Sequence, residues 1–515
     1  MSTVKKKLNE IAELITTEKA FYWLIMITMI SLPIFELLTE QHERNFEGQP
    51  IIVEAAGIMG VVMVVTHLLK NRNKSSVMYP TTIIYFCLIL FAGLSLAFSE
   101  DQLSSVQGYD YDEWLTHFMA YFSLMYAGTM IKDTGLRKNI FKAFIFVLII
   151  QGVIGALQSF GFEFTNAFFD GDKSTRLHLA YGLTAHFNWY SALMTLAAGC
   201  AMGLCIFAEN AKRFWIFFAL TALGVYAMLS TETRLTIVSF GVFVVFYPIS
   251  LIVYQLKKKD GPLFKRSMLH FGAIALLIVG MTALFIFGLG RYKTKIDDTL
   301  SEIGGLSASS QSTSSEESDN SADESAPDED TSSEEADGSE SSGLIRKETG
   351  NGITWNTDTE FDKFASYRGH IWKYGLDCVP SHWAFGVGLD NYRWCFSHAP
   401  HYNQHTWSQG KGHNELIHYL VTQGVFQLLT ILVLWGYTIV IGIRTVLKDE
   451  DKENRTITWV LLGMFVAYIA QSMFNSSVVN IAPYYWITMG CILSVRNTHP
   501  FGYRKSLKAK EQEDV

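Results

Sequence analysis

The stretch LTIVSFGVFVVFYPISLIVYQL, Leu235–Leu256, holds 22 residues without one charged side chain; Arg234 precedes it and Lys257, Lys258 and Lys259 follow. About 20 mostly apolar residues in a helix cover the hydrocarbon core of a bilayer. In lipid a helix satisfies its backbone groups within its own segment, which an isolated strand does not. The run reads as a transmembrane helix with cations at both ends.

Working outward from it, eleven more runs have the same character. Before it come Ala20–Leu38, Ile51–Leu69, Thr81–Phe98, Trp114–Ile131, Ala143–Phe160, Phe187–Phe207 and Phe214–Ser230. After it come Leu269–Gly290, Gly424–Ile443, Ile457–Phe474 and Val478–Val495. The expected fold class is all-α: a polytopic membrane protein of about twelve transmembrane helices with a large extracytoplasmic loop. Composition agrees. Of 515 residues, 49% are hydrophobic and 17% charged, against about 25% charged in a soluble domain. Mean hydropathy is +0.18. Three soluble domains, which length alone would suggest, are excluded. The first run is long for a signal peptide and no small-residue cleavage site follows it, so it reads as a retained span.

Charge sets the orientation. With the N-terminus inside, the inner loops and tails hold 27 of the 41 Lys and Arg. Cytoplasmic loops are enriched in these residues, so both termini are expected in the cytoplasm. The net charge of −8 comes largely from Glu302–Glu340, with thirteen acidic residues and no Lys or Arg; the remainder carries +5. That suits a protein beside an anionic inner leaflet, and nothing points to nucleic acid.

One outer insert, 291–412, is far longer than the other outer loops. Its part 301–342 is Ser, Glu, Asp and Ala, which cannot bury enough apolar surface to offset ordering entropy, so disorder is expected there. Residues 355–411 are rich in aromatics and are expected to fold as a helical cap. Phe364, Tyr367, Ile371, Tyr374 and Cys378 recur at helical spacing, which predicts a helix over Asp362–Cys378 ended by Pro380. Gly386 and Gly388 then allow a tight turn. Cys378 and Cys395 either bridge on this oxidising side or stay as buried thiols. His398 and His401 could take a metal, but no Cys/His spacing supports a zinc site.

Three side chains could carry chemistry. Arg234 lies between two spans joined by almost no loop. At the hydrocarbon edge it is costly unless paired or snorkelled. It either pairs with Glu232 or a lipid phosphate, or serves as a fixed donor to a substrate phosphate, for which its planar fork is suited. Arg368 falls on the cap helix one turn before Trp372. His413 opens a helix at the water–lipid boundary, where an imidazole can take a proton from a hydroxyl. Glu415 is a poor orienting partner for it, two residues away on a helix. His418, His398, His401 and His405 are further candidates. Arg176 and the segment Ala185-His186-Phe187-Asn188 share the same face.

These residues resemble the O-antigen ligase and polymerase family. Its pattern has an arginine at a tight outer turn, matched by Thr233-Arg234. It has an arginine, a tryptophan four residues on, then a Gly-x-Gly turn and an asparagine, matched by Arg368, Trp372, Pro380, Gly386, Gly388 and Asn391. It has His-Asn opening a helix and a glycine about ten residues later, matched by His413, Asn414 and Gly424. Arg176 to Asn188 resembles a further element. The ligase-like region would be 214–443, between an N-terminal bundle, 1–213, and a C-terminal pair with a tail, 444–515.

The resemblance implies a C-type membrane glycosyltransferase working on the outer face of the cytoplasmic membrane. It would be metal-independent, inverting and without a cofactor. The donor would be a glycan linked through pyrophosphate to a polyprenyl lipid, and the acceptor a glycan hydroxyl. Arg234 and Arg368 would hold the pyrophosphate and His413 would deprotonate or orient the acceptor. Arg176, Trp372, Gly386, Gly388, Asn391 and Asn414 would complete the substrate-binding surface. The leading expectation is a polymerase of repeat units. The alternatives are a ligase moving finished glycan to a lipid A core or other acceptor, and a transporter. Little ionisable chemistry at the midplane argues against transport.

Overall fold

A computed structural model describes residues 2–38, 48–71, 80–108, 113–162, 178–184, 186–292, 360–398 and 410–494. Every regular element among them is helical. Arg176, Ala185, the acidic tract, His401, His405, Trp355, and the side chains of Phe364, Tyr367 and His398 lie outside the described residues.

The helices are α1 Ser2–Ile15, α2 Glu18–Leu38, α3 Gln49–Lys70, α4 Pro80–Ala97, α5 Gln102–Gln107, α6 Leu115–Thr129, α7 Thr134–Ser159 and α8 Phe187–Ile206. Then come α9 Ala211–Leu229, α10 Arg234–Lys258, α11 Gly261–Ala283, α12 Glu360–His382, α13 Trp394–His398, α14 Glu415–Lys448, α15 Lys452–Ser472 and α16 Ala482–Ile492. Among the described residues, nine helices are long and apolar enough to cross a membrane: α2, α3, α4, α7, α8, α9, α10, α11 with the π-turn Leu284–Gly288 that extends it, and α14.

The other three predicted runs are helical too, but they sit differently. The 15 residues of α6 and the 11 of α16 are short, and α15 carries Asn454, Thr458, Gln471 and Ser472. All of α16 and most of α6 and α15 are buried in protein. A helix that touches other helices, not lipid, has no need of a wholly apolar surface. Val478 starts no helix; α16 begins only at Ala482, because Pro483 favours a helix start and Asn475, Ser476, Ser477 and Asn480 favour a polar loop. Helix α1 was not expected. Its Leu8, Ile11 and Leu14 are exposed on one stripe above Lys5, Lys6 and Lys7, the pattern of a helix lying in a membrane interface.

Polar contacts sort the loops to two opposite ends. At one, buried Arg137 donates to Asn454 Oδ1, to Thr458 Oγ1 at 3.2 Å and to the Cys491 carbonyl at 3.0 Å. Lys138 meets Glu453 at 2.5 Å and Lys452 meets Glu209 at 3.1 Å. At the other end, Asn475 Nδ2 donates to the Asn188 carbonyl at 3.2 Å and Ala180 N to the Ser230 carbonyl at 2.9 Å. The first end carries the basic loops, as alternating spans require.

Candidate functional site

The cap stands at the second end. It consists of α12, the glycine turn and α13. Ile371, Trp372, Tyr374, Cys378, Val387, Tyr392, Cys395 and Phe396 form its core, closed below by Val421 of α14. The predicted helix is present and runs past Pro380 to His382. Proline removes one N–H, whose acceptor would be the carbonyl of Leu376, and both residues are exposed. Cys378 and Cys395 are free thiols buried together in this core.

The turn is sewn to a break in α14. Gly424 has φ +79° and ψ 179°, so helical bonding fails there. The carbonyls of Val421 and Thr422, released by the break, accept from Val387 N at 2.9 Å and Gly388 N at 3.0 Å. Val425 N donates to the Trp383 carbonyl at 2.8 Å. No buried backbone group in the exchange is wasted. Gly386 and Gly388 take φ +73° and +114°, and a Cβ on Gly386 would overlap the Thr422 carbonyl. A Cβ on Gly424 would overlap that of Ala384. Gly424→Ala is therefore expected to cost more than about 1 kcal/mol and to loosen the cap. Faster hydrogen exchange at Val387 and Gly388 would show it; unchanged protection there would refute it.

Side-chain contacts place three of the expected substrate-binding residues. Asn391 Nδ2 donates to Ser99 Oγ and the Asp101 carbonyl, both at 2.8 Å. Trp372 Nε1 donates to the Gly412 carbonyl at 2.8 Å. Asn414 caps α14, accepting from Leu416 N at 3.0 Å and Ile417 N at 3.1 Å. With the glycine turn, these residues build the walls and hold the segment that presents His413.

His413 lies between the Trp372 anchor and the Asn414 cap, in the left-handed region at φ +46°. A non-glycine residue pays strain of about 1–3 kcal/mol there, and such positions cluster at functional sites. Its Nδ1 is buried with no hydrogen-bond partner, while part of the residue stays accessible. Burial pushes the imidazole pKa down to about 3, and the charges of Arg368, His186 and Lys411 push the same way. The ring is thus neutral at physiological pH, with three cationic or ionisable neighbours.

Arg368 and His413, 45 positions apart, therefore share one electrostatic neighbourhood. His186 joins them, as the cap of α8: its Nδ1 accepts from Asn188 N at 3.1 Å, which places any proton of the neutral ring on Nε2. Arg234 opens α10 at the same end. Its neighbour Thr236 meets Ser191 of α8 at 3.0 Å, just beyond His186. A cation on the N-terminal turn of a helix opposes the helix dipole, so helix stability does not explain an arginine there. Glu232 meets Arg291 at 3.7 Å, and Arg291 also donates to the carbonyls of His178 and Ser159, each at 3.2 Å.

Glu415 is turned away from His413, as its spacing predicted: its Oε2 accepts from Ser477 N at 2.9 Å. His418 stacks on Tyr392, with ring centres 5.7 Å apart.

Sequence reasoning missed Lys411 and Glu113. They form a salt bridge with both side chains almost wholly buried. Tyr121 donates to Glu113 Oε1 at 2.9 Å. Burial works against the Lys411 charge, but the carboxylates of Glu113 and Asp390 outweigh it and hold the pKa above the ordinary lysine value. Burial lifts the Glu113 carboxyl, and Lys411 pulls it back in part. A lysine two residues before the candidate base was the one available signal; its partner is 298 positions away. No group of three or more metal-ligating side chains occurs among the described residues.

Residues 219–432 match a family model described as O-antigen ligase. No curated protein matches the chain. The matched region contains Arg234, Arg368, the Gly386–Asn391 turn, Lys411, His413 and the Gly424 break. The chain thus carries, over residues 219–432, the domain of the O-antigen ligase family.

Proposed function

We propose that this multi-pass protein is a polymerase of cell-surface polysaccharide, joining polyprenyl-pyrophosphate-linked oligosaccharide units on the outer face of the cytoplasmic membrane. The observation that carries the reading is His413, held at φ +46° between the Trp372 and Asn414 contacts with its Nδ1 buried, in the electrostatic neighbourhood of Arg368 at one end of the bundle. In this reading the chain has about twelve spans, both termini in the cytoplasm and a C-type glycosyltransferase plan.

The step follows from the groups. An acceptor hydroxyl meets His413, which takes its proton as the oxygen attacks the anomeric carbon. The bond from that carbon to the pyrophosphate oxygen breaks, and the pyrophosphate leaves with the electron pair. Attack opposite the leaving group inverts the centre. Arg368 and Arg234 stabilise the charge that grows on the pyrophosphate, the role that fixed cations fill best in a site shielded from water. The arginines suit this role through bidentate geometry and permanent charge, so the step needs no metal.

Purified lipid-linked repeat unit, given alone to the protein in proteoliposomes, is expected to yield products of increasing length. Inertness until a second acceptor is added would replace the polymerase reading with a ligase. Inertness under both conditions would overturn the glycosyltransferase reading.

A further inference from the structure

Away from the cap, a concave groove of about 630 Å³ opens between α10, the far end of α14 and α15. Its volume falls in the range of small-molecule sites, about 300–1,000 Å³. Its wall on α10 runs from Val238 through Gly241, Val245 and Ile249 to Val253, faced by Val446 of α14 and Leu462 of α15. Ser250 supplies a polar group to the lining, and its hydroxyl already accepts from Trp459 Nε1 at 2.8 Å. Val245 and Ile249 are exposed, so the groove opens to the side, where lipid would lie.

The groove has a direction. Steps of three and four residues lead from Arg234 to Val238, Gly241, Val245, Ile249 and Val253, which is one stripe of a helix. From Val238 to Val253 the helix rises about 22 Å, much of the ~30 Å hydrocarbon core. A fixed cation thus heads an apolar channel that descends through the membrane. This fits one long amphiphile with an anionic head and an unbroken hydrocarbon tail. One step below the channel's head end is Gly241, where a Cβ would meet nothing within 4 Å.

We propose that this groove seats the polyprenyl chain of the donor, with its pyrophosphate at Arg234. The proposal rests on the donor reading given above and adds where the lipid lies. The arginine turn then also places the head of a lipid whose tail is already aligned along α10.

Gly241→Trp tests it. A Cβ at Gly241 would meet no neighbour and the position opens into the groove, and glycine is the weaker helix former, so the fold should hold. Two donors carry the same pyrophosphate-linked repeat unit, one on a full-length polyprenyl chain and one on a short prenyl chain. In the parent the long-chain donor is expected to have the higher kcat/KM. In Gly241→Trp the long-to-short ratio should fall about tenfold, the loss expected when a few buried methylenes are displaced. Leu276→Trp, at an exposed position of α11 outside the groove, should leave the ratio alone. A ratio unchanged in Gly241→Trp would mean that bilayer lipid or a neighbouring protein fills the groove, and would overturn the proposal. A parent that extends both donors equally overturns the groove alone; a parent inert on both overturns the donor reading as well.

Discussion

Replacing His413 with alanine is expected to lower the rate of glycan extension by about 10²–10⁴-fold, the usual contribution of a positioned general base. Donor binding should change little, because the arginines that would hold the pyrophosphate remain. The fold should also survive. His413 Nδ1 makes no hydrogen bond that would be lost, and its left-handed φ is held by the Gly412 and Asn414 contacts on either side. Turnover of purified lipid-linked repeat unit measures the effect. A rate within a few fold of the parent would remove His413 from the chemistry. Arg368→Lys should be nearly as damaging as Arg368→Ala, since a point charge does not replace a bidentate fork.

The pH dependence separates this role from an ordinary surface histidine. An unperturbed imidazole titrates near 6.5, whereas burial pushes His413 to about 3. The base form therefore persists as pH falls through 6.5, and kcat/KM should show no break there. Once the donor is bound, the negative pyrophosphate beside Arg368 offsets the neighbouring cations and raises the imidazole pKa. The acid limb of kcat should accordingly lie above that of kcat/KM. The sign for stability follows by linkage. The unfolded chain takes up the His413 proton first, so this residue weakens the fold as pH falls from about 6.5 towards its folded pKa. A kcat/KM break near 6.5 that disappears in His413→Ala would contradict the picture.

How much of this was legible in the sequence depends on what each residue touches. Runs facing lipid, such as Leu235–Leu256, announce themselves, because the solvent that they meet is uniform and their composition must match it. Helices enclosed by others, such as α15 and α16, are constrained by neighbours that the sequence does not identify, so their apolar signal fades and α16 begins four residues after the predicted start. The glycine turn was readable as a turn, because two glycines so close together permit little else. That its N–H groups meet carbonyls released by a break at Gly424 was not, since the break exists only through the pairing. His413, Arg368 and Arg234 stood out by residue type at a membrane edge. Lys411 did not: a lysine beside a glycine reads as solvated until Glu113 is brought to it from another loop.

That buried pair should dominate stability at this end of the molecule. Lys411→Met leaves the Glu113 carboxylate enclosed, with the Tyr121 hydroxyl still donating to it. Breaking a buried pair from one side typically costs about 3–5 kcal/mol, mostly for the charge left behind. The double variant Lys411→Met, Glu113→Gln should recover part of that loss, because the glutamine carbonyl still accepts from Tyr121 and the Glu113 charge is gone, while the buried Asp390 carboxylate still lacks its cation. Thermal unfolding in detergent reads both; equal melting of the parent and Lys411→Met would show that the pair does not hold the fold. Activity reads a separate consequence. Lys411 is one of the charges that lower the His413 pKa, so its removal should shift the acid limb of kcat/KM upward in the double variant even where stability has partly returned. A limb that stays in place would assign Lys411 to the scaffold alone, and would leave Arg368 and His186 as the charges that set the imidazole.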